Sequence, residues 1–394
     1  MEHNKLIFSK VPTLRFKSFE QEWAYSTIGK CSISLEYGMN AAAVKYDGKH
    51  KYIRITDIDE ETSAFIPNPL SSPDGEFEQR YLVKENDILF ARTGASVGKS
   101  YLYNSNDGEL YFAGFLIRAR IKPEYNGPFI YYQTKSKKYD RWVKLTSMRS
   151  GQPGINSQEY SGYPIAITGK VEQDKIAGFF QMLDNRIAVQ NKIISDLKVL
   201  KKELCNKVFG KDSAVRLGDF IEEVTTRNKS NNCENVLSVS NKMGFIKQSE
   251  QFEDRTVASE NKSNYKVVTE GCFAYNPARI NVGSIALLST YKIGIISPMY
   301  VCFKTKSALD SEYLNFYYQS GFFYKELQKK LEGSVRQCLT YENMSEILIP
   351  YVGIEKQKAI ATALNKFATL IANEEKYLKS LQKQKSYFLS AMFI

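Results

Sequence analysis

The chain states one long pattern twice. Residues Glu172–Phe209 (EQDKIAGFFQMLDNRIAVQNKIISDLKVLKKELCNKVF) align without gaps on Lys356–Phe393 (KQKAIATALNKFATLIANEEKYLKSLQKQKSYFLSAMF), about 184 positions later. In the first copy, apolar residues fall in steps of four and three at Ile176, Phe180, Leu183, Ile187, Ile194, Leu197 and Leu204. In the second they fall at Ile360, Leu364, Phe367, Ile371, Leu378, Leu381 and Phe388. A 3.5-residue period held over roughly four to five heptads predicts a long helix with a narrow apolar seam. Both copies interrupt the seam at the same steps, Gln190/Glu374 and Lys201/Lys385. Two matched seams in one chain predict that the helices pack on each other, most simply antiparallel, each roughly 50–55 Å long.

The duplication continues upstream. Tyr81–Tyr103 corresponds to Tyr265–Leu288, with Val97-Gly98 falling on Val282-Gly283. Ile130–Leu145 corresponds to Phe316–Leu331, both amphipathic at helical spacing, and GINSQEYSGYPIAI corresponds to CLTYENMSEILIPY. Elsewhere the halves diverge. The expected fold is α+β: two pseudo-symmetric globular α/β domains separated by a long antiparallel two-helix coiled coil. The expected boundaries are 1–170 (an N-terminal arm and the first domain), 171–210 (first helix), 211–353 (second domain) and 354–394 (second helix).

One stretch suggests nucleotide chemistry and then fails the test. RTGASVGKS (Arg92–Ser100) approaches the phosphate-binding G-x-x-x-x-G-K-[ST], but only three residues separate Gly94 from Gly98. A phosphate loop also joins a strand to a helix, whereas KSYLYNSN alternates like a second strand. The repeat partner, PARINVGSI, keeps only the Val-Gly. Both copies therefore read as hairpin tips carrying an arginine, with a glycine free to take positive φ or form a bulge.

Other chemistries are poorly supplied. The six cysteines never approach C-x-x-C spacing and there are only two histidines, His3 and His50. A zinc site, a His-ligated metal or a Ser–His triad is not expected, and no catalytic residue is assigned. The acidic TDIDEET, with Asp57, Asp59, Glu60 and Glu61, reads as a solvated turn. YNPARI lacks the second proline of the [ND]-P-P-[YFW] turn of adenine methyltransferases and reads as a loop tip. No apolar run of spanning or secretory length occurs, so a soluble, cytoplasmic, reduced protein is expected, with no membrane partner.

The net charge of +11 points to a polyanion, most simply nucleic acid. Arg, Lys, Asn and Gln are the residues that hold phosphates and read base edges. The DNA-contact candidates in the first half are Arg92, Thr93 and Lys99 on the hairpin tip, with Arg149, Ser150 and Gln152 in MRSGQPG. In the second half they are Arg279, Asn281 and Ser284, with Ser334, Arg336 and Gln337 in GSVRQ. They occupy equivalent positions of the repeat. Segments 40–51 and 227–232 are secondary candidates.

Two divergent halves, each closed by a long helix opening EQDKIA or EKQKAIA, resemble the specificity subunit of a type I DNA restriction–modification enzyme. The openings VPTLRFKSFEQEWAYSTIG (Val11–Gly29) and RLGDFIEE (Arg216–Glu223) are similar to the starts of such halves, and the resemblance spans nearly the whole chain. It implies two target-recognition domains, each reading half of a bipartite, asymmetric site in double-stranded DNA. It implies helices that set the spacer and dock two modification (methyltransferase) subunits. S-adenosylmethionine, ATP and Mg²⁺ are then expected on those subunits and on the restriction (translocase/nuclease) subunits, with no cofactor on this chain and no catalysis by it alone. From the residues themselves, a coiled-coil scaffold without DNA contact and a nucleotide-dependent enzyme stay open as alternatives.

Overall fold

The computed structural model describes residues 11–394 apart from 76–77, 149–150, 211–213, 242, 252–260 and 333–336. It divides into two compact units, Met1–Gln190 with Tyr377–Ile394, and Asn191–Lys376. The division does not fall at the ends of the long helices, which span Lys170–Phe209 and Ile354–Ala391. Each helix contributes its start to the unit that precedes it in sequence and its end to the other. At 40 and 38 residues they run about 60 Å and 57 Å, slightly longer than the seam alone predicted.

The two units carry one plan. In the first unit, strands Ser32–Tyr37, Leu116–Ile121, Asp87–Ala91 and Ser100–Leu102 form a four-stranded antiparallel sheet in that order. In the second, Ile221–Glu223, Val301–Thr305, Cys272–Tyr275 and Ile285–Leu287 form its counterpart, in the same order and sense. A short antiparallel pair leads to each long helix: Ala24–Thr27 with Pro164–Ile167, and Ala214–Arg216 with Leu348–Pro350. Helices Gly127–Gln133, Lys137–Ser147 and Ser157–Gly162 match Ser311–Tyr318, Gly321–Lys330 and Tyr341–Ser345. The divergence lies in the remaining strands. Among the described residues the first unit adds two separate strand pairs, whereas the second adds a four-stranded sheet containing Val236–Ser240 and Ile293–Ile296.

Equivalent caps start the equivalent helices. Asn126 and Asp310 accept from the N–H three residues on, as do Ser136 and Ser320, and Asn156 and Thr340. Each supplies a side-chain oxygen to an N–H that has no partner within the helix. These caps lie 184 apart, so Tyr132 corresponds to Phe316. The expected match of Ile130 to Phe316 is two residues out, drawn there by the shared Tyr-Tyr-Gln.

Within each unit the helix segments run antiparallel along the predicted seam. In the first, Phe180 stacks on Phe393, Phe179 meets Phe388 edge-on, and Arg186 reaches Tyr377. In the second, Lys198 pairs with Glu375 at 2.7 Å, while Cys205 and Phe209 share a core with Ala361 and Leu364. All fourteen named seam residues are buried or half-buried. The seam lysines do not face solvent either. Lys385 donates to Asp184 and lies over the Tyr132 ring, and Lys201 lies over Phe316, 3.2 Å from Gln319 Oε1. Tyr132 and Phe316 are repeat equivalents, so each globular portion receives a lysine from the end of one helix.

A buried glutamine fastens each helix start. Gln173 accepts from Asn126 N–H at 2.9 Å and donates to the Thr168 carbonyl at 2.7 Å. Gln357 does the same with Asp310 N–H and the Val352 carbonyl, at 2.8 Å and 2.7 Å. The first unit is also tied to its N-terminal arm. Leu14 N–H and the Thr13 hydroxyl both donate to the Ala391 carbonyl, and Arg15 forks onto Glu172 at 2.7 Å and 2.8 Å.

Candidate nucleic-acid interface

The near-phosphate loop is a hairpin tip. Strand Asp87–Ala91 runs into one 3-10 turn, Gly94–Ser96, and returns as strand Ser100–Leu102. Ala91 N–H donates to Lys99 O at 2.8 Å; in the second unit Asn276 N–H donates to Ser284 O at 3.1 Å. Gly98 and Gly283 hold φ of 87° and 90°, the left-handed backbone that a glycine accepts without steric cost.

The structure then brings together the two loops that sequence placed in each half. Ile155 N–H donates to Arg92 O at 2.9 Å, and the equivalent Leu339 N–H donates to Pro277 O at 3.1 Å. Pro277 and not Arg279 therefore stands at the repeat position of Arg92, and Arg279 lies two residues further along the tip. The first unit adds a bond from Gly94 N–H to Pro153 O and a bridge between Thr93 and Gly154. Tyrosines brace both junctions: Tyr160 donates to Ala91 O at 2.7 Å and Tyr275 to Thr340 O at 3.1 Å. Backbone bonds of this kind fix a loop pair without using the exposed side chains, which stay available to a ligand.

Among the candidates, Arg92, Thr93 and Lys99 are half-buried and Gln152 is exposed. The Arg92 guanidinium lies over the Tyr37 ring at 4.9 Å, and Lys99 Nζ stands 3.8 Å from Glu60 Oε1. Tyr37 accepts from Ser157 N–H at 3.1 Å. Hydrogen bonding at Ser157, helped by the Arg92 charge and opposed by burial, holds the Tyr37 phenol below its ordinary value. In the second unit Arg279 and Gln337 are exposed and Asn281 is half-buried. Ser284 corrects the sequence reading. It is 2 % exposed and its hydroxyl donates to Val239 O, so it belongs to the scaffold. Arg149, Ser150, Ser334 and Arg336 lie outside the described residues.

Of the secondary segments, strand Ala43–Lys45 is exposed, whereas Asn228 is buried, bonding Cys233 through both ends of its amide. The acidic turn is also not what its composition suggested. Asp57 is buried and held by Arg54 through two 2.8 Å bonds, although Asp59, Glu60 and Glu61 remain at the surface. Sequence reasoning missed Tyr37 entirely. It enters the site from a distant strand, with no motif to mark it.

Among the described residues, no group of three His, Cys, Asp or Glu side chains could hold a metal ion, and no helix is long and apolar enough to cross a membrane. Burial pushes the Cys272 thiol up to about 11 and Cys302 up to about 12, leaving them inert as nucleophiles at neutral pH.

Comparison with known proteins gives a consistent result. A family model described as "Type I restriction modification DNA specificity domain" matches residues 32–199 and again 213–383. The type I restriction enzyme MjaVIII specificity subunit of Methanocaldococcus jannaschii is 24% identical over 354 residues, covering 79% of each chain. The S subunit of a type I restriction–modification system from M. genitalium superposes with a TM-score of 0.62 at 15% identity, over 98% of this chain and 99% of the other. A chain solved for complex assembly and conformational transition of the type I R-M system gives 0.55 at 14% identity, over 93% and 96%.

Proposed function

The chain belongs to the type I restriction–modification DNA specificity family, and from that premise we propose how its two recognition domains divide the work. The first domain reads one half of a bipartite DNA site through Arg92, Thr93, Lys99 and Gln152. The second reads the other half through Arg279, Asn281 and Gln337. The observation that carries this assignment is the loop pairing. In both domains an arginine-bearing hairpin tip lies against a second polar loop, joined by equivalent backbone bonds. Arginine, asparagine and glutamine there can reach phosphates and the bidentate edges of guanine and adenine. Because the side chains differ between halves, the two half-sites differ.

The long helices act as the ruler between half-sites, and their outward faces dock two methyltransferase subunits. Those subunits supply S-adenosylmethionine and the methyl-transfer chemistry. Restriction subunits supply ATP-driven translocation and cleavage with Mg²⁺. This chain carries no catalytic step, and the complex works in the cytoplasm, where its DNA lies. Methylome sequencing of cells expressing the chain with its methyltransferase partner tests the division of labour. Arg92→Ala with Gln152→Ala is expected to relax one half-site alone, and Arg279→Ala with Gln337→Ala the other. Uniform loss of methylation at both half-sites would contradict it. The purified chain alone is expected to bind neither S-adenosylmethionine nor ATP at micromolar concentration.

A further inference from the structure

The strands beside the hairpin tips begin from equivalent turns. Leu116 N–H donates to Ala113 O at 2.8 Å, and Tyr300 N–H donates to Ser297 O at 3.1 Å. The strands that follow occupy the same sheet position, with Phe90 opposite Ile117 in one unit and Tyr275 opposite Val301 in the other. At the same corner of each turn stands a large apolar side chain in solvent: Phe115, 58% exposed, and Met299, 59% exposed. A single exposed apolar residue needs no explanation. Two at one structural position, in halves whose sequences otherwise diverge, do.

Their surroundings supply the explanation. The Phe115 carbonyl accepts from Arg92 N–H at 3.0 Å, so its backbone is tied to that of the arginine lying over Tyr37. In the second unit the strand pairing ends with Tyr275 opposite Val301, two residues from Pro277 on one strand and from Met299 on the other. Proline has no N–H to repeat the bond, yet the turn is kept. Each reading loop is thus flanked by one apolar tip. Hydrogen-bonding groups gain nothing from the thymine 5-methyl on a major-groove base edge, whereas an apolar side chain can pack against it.

We propose that Phe115 and Met299 are specificity-determining residues, each making an apolar contact to a thymine methyl in its own half-site. The assignment rests on the DNA-reading role of these loops. The test uses the complex of the full chain with its methyltransferase subunits and a library in which both half-sites are randomised. Phe115→Ala is expected to relax the preference at one or two adjacent pairs of one half-site by about 5-fold to 10-fold, at a position where the unaltered protein selects thymine. Met299→Ala is expected to do the same in the other half-site only. Replacing that thymine by deoxyuridine should weaken the unaltered complex by a similar factor and leave the matching variant indifferent. Unchanged preferences, equal effects on both half-sites, or relaxation only at G·C-selecting positions would overturn the proposal. Arg92→Ala and Gln152→Ala are run alongside. If they weaken binding while Phe115→Ala changes nothing, the apolar contact alone is refuted. If they too change nothing, the reading face lies elsewhere and both ideas fall.

Discussion

Gly98 and Gly283 share a backbone conformation but not a neighbourhood, and the difference is measurable. Alanine at either position incurs the left-handed penalty of about 1–2 kcal/mol. A Cβ on Gly98 would also lie 2.5 Å from Val143 Cγ1, whereas on Gly283 the nearest atom is Asn241 Cβ at 3.9 Å. Overpacking adds about 1–3 kcal/mol at the first site. Gly98→Ala should therefore lower the hydrogen-exchange stability of its unit clearly more than Gly283→Ala lowers that of the other. Equal effects would mean that Val143 simply moves aside. The paired glycines were legible in the sequence because both follow a valine at a shared position. The polar candidates were less so. Lys99 and Ser284 are repeat equivalents, yet one ends near Glu60 and the other inside the scaffold, since side-chain length decides which can leave the sheet.

A second residue contrast shows how far the halves have diverged within one sheet. Asp87 is fully buried and paired with Arg120 at 3.0 Å in two bonds, with Arg118 Nε 3.9 Å away. The equivalent second-unit positions of Asp87 and Arg118 hold Cys272 and Cys302, both buried. Buried ion pairs can be replaced by apolar packing with little loss, but removing one partner strands the other charge. Asp87→Ala should cost about 3–5 kcal/mol, measured by denaturant unfolding, and Cys272→Ala considerably less. No repeat signal could have announced the pair, because the repeat replaces it.

At the scale of elements, the long helices were the most legible feature, because seam spacing is a direct consequence of helix geometry. Their attachment was less visible. The shared glutamine at Gln173 and Gln357 aligned in sequence, but its two-ended bonding appears only when a capped loop and a strand end converge on it. Gln173→Leu leaves the Asn126 N–H and the Thr168 carbonyl without that partner, at about 1–3 kcal/mol each. Hydrogen exchange should show the loss within the first unit, and Gln357→Leu should show it within the second.

The N-terminal arm adds a pH dependence to the first helix start. Burial pushes the Glu172 carboxyl up, but bonds from Arg15 and Thr168 outweigh it, leaving the group below its ordinary value of 4.5. A depressed carboxylate stabilises the folded state fully above the unfolded value and loses that contribution as pH falls through the folded one. The stability gap between the unaltered chain and Glu172→Gln should therefore be constant from about pH 6.5 to 7.5, about two units or more above a free glutamate, and shrink below about pH 4.5. A gap that persisted at the acid end would place the stabilisation in packing instead of charge.

For the whole molecule, the duplication explains why one chain serves two readers. Each unit takes the start of one long helix and the end of the other, so neither unit closes without both copies. The fold class followed from the repeat, whereas the extra strands of each half and the Tyr37, Phe115 and Met299 positions did not, because they come from segments where the copies differ. The net charge of +11 also belongs to this scale. DNA affinity of the assembled complex should fall steeply between about 50 and 200 mM salt, as counterions released from phosphates oppose binding.

The central claim is that the paired helices set the distance between two independent readers. Removing one heptad from each helix, Ile187–Ile193 together with Ile371–Tyr377, keeps the seam in phase while shortening both helices by about 10 Å. Methylome sequencing should then return both half-site sequences unchanged, with the gap between them shorter by on the order of two or three base pairs, at about 3.4 Å each. Methylation at the original spacing, from a shortened complex that still assembles, would contradict the account.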